Sequence, residues 1–311
     1  MVLGIDTSNY TTSVAYFEET SGKNCSRLLD VKPGELGLRQ SDALFSHVKR
    51  LPELIASLTA SLPAGNTLAE ISAIGVSTRP RAVEGSYMPC FLAGESLAKC
   101  LGEILQIPVY GFSHQQGHIV ASLWSAGRLD LMHTPHLAWH LSGGTTELLL
   151  VKPDANNVSA ERIGGTTDIS AGQLIDRTGN LLGLGFPAGK AVDALSLRSV
   201  KNDTFRVKVH NCQFSLSGME NKVRALIEQG RDGCDVARFA LSCIAGAVGV
   251  ATAQALDNYP GYQIVFSGGV ASNTLLRQRF EGPQFLFSPP EYATDNAMGI
   301  AVLTWIQEGL S

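Results

Sequence analysis

Near the start of the chain runs Val2-Leu3-Gly4-Ile5-Asp6-Thr7-Ser8-Asn9-Tyr10-Thr11-Thr12-Ser13-Val14-Ala15-Tyr16, and this segment indicates how the rest is built. An apolar run is followed by a short polar segment that can reverse the chain, and then by a second apolar run. This pattern predicts two antiparallel strands joined by a tight turn. Such a turn gathers backbone N–H groups and small hydroxyls at one point, which suits a phosphate group.

The same hairpin pattern recurs in the second half of the chain, in residues 137–151, where the predicted turn is Ser142-Gly143-Gly144-Thr145. A third Gly-containing turn, Ser267-Gly268-Gly269-Val270, follows a buried strand and precedes a helix. The repeated hairpin predicts two duplicated lobes. The three turns together predict a nucleotide site, although the chain has neither a P-loop nor a strand-linked G-x-G-x-x-G motif.

Composition indicates a soluble globular protein. The 311 residues are 44% hydrophobic and 17% charged, and 24 Lys and Arg against 28 Asp and Glu give a formal net charge of −4. No apolar run approaches the roughly 20 residues that span a bilayer, and the first residues are typical of a strand rather than a signal peptide. The six cysteines form no Cys-x-x-Cys pair, which argues against a cysteine zinc site or a disulfide framework and favours the cytoplasm.

Nucleic-acid binding by this chain would require a local basic patch or a partner protein, because its net charge is negative. The alternative interpretation is that its basic side chains are solvated surface charges. The residues that could form such a patch are Arg79, Arg81, Lys201, Arg206, Lys208, Lys222 and Arg224.

Helical and strand patterns alternate along the rest of the chain, which predicts an α/β protein with mixed sheets. We expect lobe I to comprise residues 1–112, joined by a C-terminal helix at 296–309, and lobe II to comprise residues 113–295. The boundary is expected near residues 113–136, with a cleft between the lobes. Helices are predicted at 44–62, 89–105, 170–182, 236–256, 273–280 and 296–307, and further strands at 71–77, 109–112 and 263–271.

His114-Gln115-Gln116-Gly117-His118 places two imidazoles one helical turn apart, so that they can share a metal ion. Gln115 stands where a zincin protease needs a glutamate, which excludes that chemistry. The best third ligand is Asp295, at a loop-to-helix junction. The competing interpretation is that Asp295 only caps the last helix.

These features resemble the actin-like, sugar-kinase-like ATPase superfamily and, within it, the TsaD family of tRNA threonylcarbamoyladenosine synthases. The resemblance covers nearly the whole chain. Besides Gly4-Ile5-Asp6-Thr7-Ser8 and the histidine pair, the matching motifs are Leu141-Ser142-Gly143-Gly144-Thr145, Ala171-Gly172-Gln173-Leu174-Ile175-Asp176, 181–189, Phe214-Ser215-Leu216-Ser217-Gly218, 267–273 and Ala293-Thr294-Asp295-Asn296-Ala297.

The resemblance implies an acyltransferase that moves a threonylcarbamoyl group from threonylcarbamoyl-AMP to the exocyclic amine of the adenosine beside the tRNA anticodon. His114, His118 and Asp295 would hold one divalent metal ion, Fe²⁺ or Zn²⁺. Implied partners are tRNA and other proteins of the threonylcarbamoylation machinery, without a membrane. The adenylate or another adenine nucleotide would be held by Leu141, Ser142, Gly143, Gly144, Thr145, Asp176, Gly189, Asp193 and Asn273.

The chain departs from the family pattern near the implied donor site. Asn9-Tyr10-Thr11 replaces Cys-Asp-Glu, and Thr145 replaces a histidine. Ala188 replaces a glycine, and its Cβ could crowd the nucleotide. The loop at residues 78–85 lacks the expected Gly-Pro-Gly. These changes keep open a non-catalytic nucleotide-binding paralogue that acts as an interaction subunit, and a carbamoyltransferase that acts on a small molecule. A kinase or ATPase would depend on Asp6 as its catalytic acid.

Overall fold

The computed structural model describes residues 1–8, 10–30, 38–63, 67, 70–294 and 296–310. The strands are β1 (Val2–Ser8), β2 (Thr11–Glu18), β3 (Ser21–Leu28), β4 (Ala73–Arg79), β5 (Val109–Ser113), β6 (His136–Leu141), β7 (Thr146–Asp154), β8 (Asn157–Thr166), β9 (Val209–His210), β10 (Gln213–Phe214), β11 (Ile264–Ser267) and β12 (Phe285–Phe287). The α-helices are α1 (Gln40–Ala60), α2 (Leu92–Leu105), α3 (His114–Ser125), α4 (Ala171–Leu181), α5 (Gly189–Ser196), α6 (Ser217–Glu228), α7 (Gly233–Asn258), α8 (Thr274–Arg279), α9 (Pro290–Ala293) and α10 (Met298–Gln307).

The chain divides into two compact units. The first comprises Met1–Thr134, Lys152–Ala160 and Asp295–Ser311, and the second comprises Pro135–Val151 and Glu161–Thr294. The first change of unit, after Thr134, lies within the boundary region expected near residues 113–136, whereas residues 113–134 had been assigned to lobe II. Helix α3 groups with the first unit because it packs closely against α10 of that unit, and the grouping changes only after Thr134.

The sheet of the first unit has the strand order β3-β2-β1-β4-β5. β1 and β2 pair antiparallel from Val2 opposite Phe17 to Ser8 opposite Thr11, which confirms the predicted N-terminal hairpin. β4 and β5 continue the sheet parallel to β1. All seven residues of β1 are buried, as expected for a central strand covered on both faces.

Helix α10 packs against this sheet and against α3. Trp305 meets the ring of Phe17 edge-on, with ring centroids 5.9 Å apart. A Cβ on Gly299 would lie 1.8 Å from the carbonyl oxygen of Gly117 on α3. The two helix backbones are therefore in direct contact, and a glycine is required at residue 299.

Replacing Gly299 with alanine is expected to destabilise the first unit by about 3 kcal/mol or more, because the added methyl group meets a backbone carbonyl that cannot rotate away. Urea unfolding measures the effect. Gly246→Ala on α7 is the matched control, since a Cβ there meets no atom within 4 Å, and its free energy of unfolding should stay equal or rise by about 1 kcal/mol. Equal urea midpoints for Gly299→Ala and the unmodified protein would contradict this packing.

The second sheet has the order β12-β11-β6-β7-β8-β10-β9. β6 and β7 pair antiparallel from His136 opposite Val151 to Leu141 opposite Thr146, which confirms the second predicted hairpin. β11 lies parallel to β6 but is shorter than predicted. It ends at Ser267 because Gly268 adopts a φ of 88°, and a short 3₁₀ helix follows at Gly269–Ser272.

Helix α7 carries much of the core of the second unit. Trp139 on β6 is fully buried, and its indole N–H donates to Thr252 of α7 over 2.9 Å. By length and composition, α7 is apolar enough to span a membrane, which the sequence expectation missed. However, 61% of its most apolar stretch is buried within the protein, so its apolar character is accounted for by core packing.

Candidate active site

Asp6 lies at the carboxyl end of β1 with its side chain fully buried. It accepts hydrogen bonds from the hydroxyl of Ser77 on β4 and from Nδ1 of His114, the latter over 2.9 Å. β1, β4 and β5 are parallel neighbours, so their carboxyl ends meet at one edge of the sheet. The three side chains converge there because each lies at or just beyond the end of its strand.

The two predicted metal ligands stand together at the start of α3. Ser113 caps this helix through a capping box with Gln116, which fixes His114 as its first residue. The rings of His114 and His118 are perpendicular, with centroids 4.3 Å apart. His118 is 3% exposed, so the pair lies against the protein interior.

Asp6 determines which nitrogen of His114 can bind a metal. A carboxylate can only accept, so Nδ1 carries the hydrogen, and Nε2 of the neutral ring carries the lone pair. Metal-binding histidines commonly donate their second ring nitrogen to a carboxylate in this way. Asp295, the predicted third ligand, lies outside the described residues. Within the described part of the chain, no group of three or more His, Cys, Asp or Glu side chains could hold a metal ion.

His47 is a buried polar residue that the sequence analysis did not single out. It lies on α1, and its Nδ1 is 2.8 Å from the hydroxyl oxygen of Thr12. Burial lowers the pKa of His47 to about 4, so the ring is neutral at pH 7. A lone histidine among apolar residues of a helix reads as a core residue, so the sequence offered no signal for this contact.

In the second unit, the turn after β6 is fixed to the start of α4. The backbone N–H of Ser142 donates to the carbonyl of Thr145 over 2.8 Å, and the hydroxyl of Ser170 donates to the carbonyl of Gly143 over 2.6 Å. The backbone N–H of Ala171 donates to the hydroxyl oxygen of Thr146. The exposed Gly143 and Gly144 therefore stand beside a helix N-terminus, whose dipole favours an anion.

The remaining predicted nucleotide-binding residues form two pairs of neighbours. Asp176 accepts a hydrogen bond from the backbone N–H of Ala188, next to Gly189 at the start of α5, and burial raises the pKa of Asp176. Asp193 accepts from the side-chain amide of Asn273 over 2.7 Å.

Asp193 and Asn273 both have structural roles at the start of α8. Asn273 caps this helix by accepting from the backbone N–H of Leu276. Asp193 also accepts from the backbone and hydroxyl of Thr274, over 3.1 and 2.8 Å. The carboxylate of Asp193 is therefore committed to holding α8 in place.

The methyl group of Ala188, which was expected to lie close enough to crowd the nucleotide, is buried in the protein. Ala188 is 1% exposed, and its methyl group belongs to the core of the second unit. An added Cβ on Gly179 of α4 would lie 2.2 Å from it. The methyl group therefore points into the contact between α4 and α5, away from solvent.

Asp168 ties the end of β8 to the start of α6, where its partners belong to the family motif at residues 214–218. It accepts from the hydroxyl of Ser215 and from the backbone N–H groups of Leu216 and Ser217. Burial alone would raise the pKa of Asp168, but hydrogen bonds from the Ser215 and Ser217 side chains and from these backbone groups hold it well below its ordinary value.

Asp168→Asn is expected to lower the free energy of unfolding at pH 7 by about 1 kcal/mol, since solvent screens a largely exposed carboxylate. A depressed folded-state pKa stabilises the fold above the ordinary aspartate pKa of about 3.9, and this contribution disappears as the pH falls through the folded value. Urea unfolding should therefore show a difference that shrinks below about pH 4. Asp257→Asn on α7 is the charge-matched control, and an equal loss in both variants would contradict the prediction.

Comparison with known protein families assigns the chain to one of them. The family model described as "TsaD: tRNA N6-adenosine threonylcarbamoyltransferase" matches residues 37–302. The chain belongs to the TsaD family. Among its relatives, the tRNA N6-adenosine threonylcarbamoyltransferase of Aromatoleum aromaticum is 30% identical over 96% of this chain and 89% of its own. The one from Thermus thermophilus is 31% identical over 98% of this chain and 92% of its own.

Solved structures confirm the predicted fold class for this TsaD-family chain. It resembles component A of (R)-2-hydroxyglutaryl-CoA dehydratase from Acidaminococcus fermentans, with a TM-score of 0.58, 15% identity, and coverage of 100% of this chain and 99% of that one. It also resembles a ROK family glucokinase from Streptomyces griseus, with a TM-score of 0.52, 12% identity, and coverage of 97% and 98%. At such low sequence identity, the likeness shows only the fold. The fold is mixed α/β and of the actin-like, sugar-kinase-like type.

Proposed function

We propose that this protein transfers a threonylcarbamoyl group from threonylcarbamoyl-AMP to the exocyclic amine of the adenosine beside the tRNA anticodon. The observation that supports this most strongly is the family match over residues 37–302. In this reaction the amine nitrogen bonds to the carbamoyl carbon, the bond from that carbon to the AMP oxygen breaks, and the amine loses a proton. AMP is a good leaving group, so binding and orientation are the main tasks of the protein.

His114 and His118, with Asp295 as the third ligand, would hold one divalent metal ion. The residues fit such an ion, because His114 is oriented by Asp6 and His118 stands beside it. Bound there, the metal would supply a Lewis acid for the acyl transfer. Imidazole and carboxylate ligands suit both iron and zinc.

The adenylate would be held by the second unit. The turn at residues 142–145 and the N-terminus of α4 offer backbone N–H groups for its phosphate, which is supported by their fixed geometry. Asp176 and Gly189 would contact the ribose and the acyl group. Asp193 would act indirectly, by holding Asn273 and α8.

The proposed partners are tRNA as acceptor and further proteins of the threonylcarbamoylation machinery, and the proposed location is the cytoplasm. Purified protein should be incubated with L-threonine, bicarbonate, ATP, the enzyme that makes the adenylate, and unmodified tRNA. The digested tRNA is then analysed for threonylcarbamoyladenosine by mass spectrometry.

The control is the same tRNA with guanosine in place of the acceptor adenosine. Guanosine has a carbonyl oxygen where adenosine carries the accepting amine, so this tRNA should stay unmodified. Binding of adenylate and tRNA with no product would contradict the proposal and favour the non-catalytic paralogue. Release of AMP with a carbamoylated small molecule, in the absence of tRNA, would favour the alternative transferase.

A further inference from the structure

The second unit contains an open cavity of about 450 Å³ that the proposed reaction does not use. We call it the α7–α8 pocket. An irregular segment at residues 202–207 forms one wall, and helices α7 and α8 form the others. Its lining residues are Asn202, Thr204, Phe205, Arg206, Val207, Ser242, Ala245, Gly246, Val250, Leu275 and Arg279.

Two arginines give the pocket a positive charge. Arg206 and Arg279 are both exposed, and neither forms an ion pair with any carboxylate in the described part of the chain. Two unpaired guanidinium groups at the rim of one cavity attract an anion, and their planar donors suit phosphate oxygens.

Two acidic residues close in sequence to the pocket lining pair with other cations. Asp203 is adjacent in sequence to the lining residues but pairs with Arg231. Asp235 on α7 pairs with Lys201 over 2.6 Å. These two carboxylates are therefore already neutralised by Lys201 and Arg231.

Helix α7 exposes part of its backbone to the pocket at Gly246. The guanidinium of Arg279 lies directly on its backbone, since a Cβ on Gly249 would be 2.0 Å from the Nε of Arg279. One turn earlier, a Cβ on Gly246 would meet no atom within 4 Å. The floor of the pocket at Gly246 is therefore bare helix, next to the apolar side chains of Ala245 and Val250.

Phe205 brings an aromatic ring to the same cavity. The ring is 42% exposed, and the ammonium of Lys222 lies 3.9 Å from its centroid. The backbone N–H of Phe205 donates to the sulfur of Cys243 on α7, which anchors the segment to the core. An exposed aromatic ring among cations is the combination that unstacked RNA bases and their phosphates recognise.

We propose that the α7–α8 pocket binds one unstacked nucleotide of the tRNA acceptor, with its base against Phe205 and its phosphates on Arg206 and Arg279. This inference rests on the proposed function, which supplies RNA as the partner. The amide of Asn202 and the hydroxyls of Thr204 and Ser242 can hydrogen-bond the edge of the base. A volume of about 450 Å³ lies within the range of pockets that hold one small ligand group.

The test is the binding of an unmodified tRNA transcript, measured by fluorescence anisotropy at several salt concentrations. The double variant Arg206→Gln/Arg279→Gln is expected to bind about tenfold more weakly at low salt, and the slope of log affinity against log salt should shrink by about 0.7 for each lost phosphate contact. Gly246→Met fills the pocket without changing the charge. It should also weaken binding but leave the slope unchanged.

The charge-matched control is Lys49→Gln/Lys152→Gln, which removes two exposed cations outside the pocket and should bind as the unmodified protein does. Equal tRNA affinity in the arginine double variant and this control would overturn the proposal. So would poly-L-glutamate binding that requires both arginines while tRNA binding does not, because the pocket would then take an acidic peptide.

Product formation is measured in parallel to separate this inference from the proposed function. If the unmodified protein makes threonylcarbamoyladenosine and the arginine double variant binds tRNA normally, the pocket assignment fails and the proposed function stands. If the unmodified protein makes no product but tRNA binding depends on Arg206 and Arg279, the pocket assignment stands and the proposed function fails.

Discussion

His114→Ala is expected to remove the bound metal and to lower threonylcarbamoylation at least about 100-fold. His114 and His118 lie on one face of α3, and losing either leaves too few ligands to hold a borderline cation tightly. Elemental analysis of the purified protein measures the metal, and the tRNA assay measures the activity. His118→Ala should have the same effect.

The fold should survive these substitutions, because α3 remains capped by Ser113 and packed against α10. The circular dichroism spectrum of His114→Ala should therefore match that of the unmodified protein. His210→Ala on β9 is the matched control and should keep full metal content and activity. Stoichiometric metal in both His114→Ala and His118→Ala would show that the ion binds elsewhere.

Asp6→Ala is expected to reduce metal affinity about 10- to 100-fold, although Asp6 itself is not a predicted ligand. Its carboxylate orients His114 and fixes the hydrogen on Nδ1. Removing it also leaves the Ser77 hydroxyl and the His114 N–H without their buried acceptor, which costs about 1–3 kcal/mol of stability. Competition with a chelator measures the affinity, and urea unfolding measures the stability.

Two further variants separate orientation from stability. Asp6→Asn keeps the shape and one acceptor oxygen, so its metal affinity should lie between those of Asp6→Ala and the unmodified protein. Ser77→Ala removes a donor to Asp6 but leaves the contact with His114. It should lose about 1 kcal/mol of stability with metal affinity nearly unchanged. Equal metal loss in Ser77→Ala and Asp6→Ala would indicate a general loss of packing instead.

Both hairpins were predictable from sequence because each consists of apolar runs around a short polar turn, and their registers agree with that pattern. The histidine pair was equally accessible, since residues four apart in a helix must share a face. The short helices α5 and α6 were not predicted, because eight and twelve residues of mixed polarity carry little periodic signal.

The partner of Asp6 could not be predicted from local sequence. The strand pattern placed the carboxylate of Asp6 within a buried run, and a buried carboxylate needs hydrogen-bonding partners. Those partners, Ser77 and His114, are 71 and 108 residues away along the chain. The direction of the Ala188 methyl group could not be predicted from local sequence either, because it depends on how α5 packs on α4. The role of Asp295 stays a prediction.

The packing of α10 against β2 has a consequence for biosynthesis. Phe17 leaves the ribosome nearly 290 residues ahead of Trp305, the ring that covers it. Domains usually fold as units while translation proceeds, at about 5–20 residues per second. The first unit cannot close until α10 has emerged, whereas every residue of the second unit has been translated by Thr294. The first unit thus begins to be synthesised first but completes its fold last. Nascent chains stalled before α10 should therefore depend on chaperones.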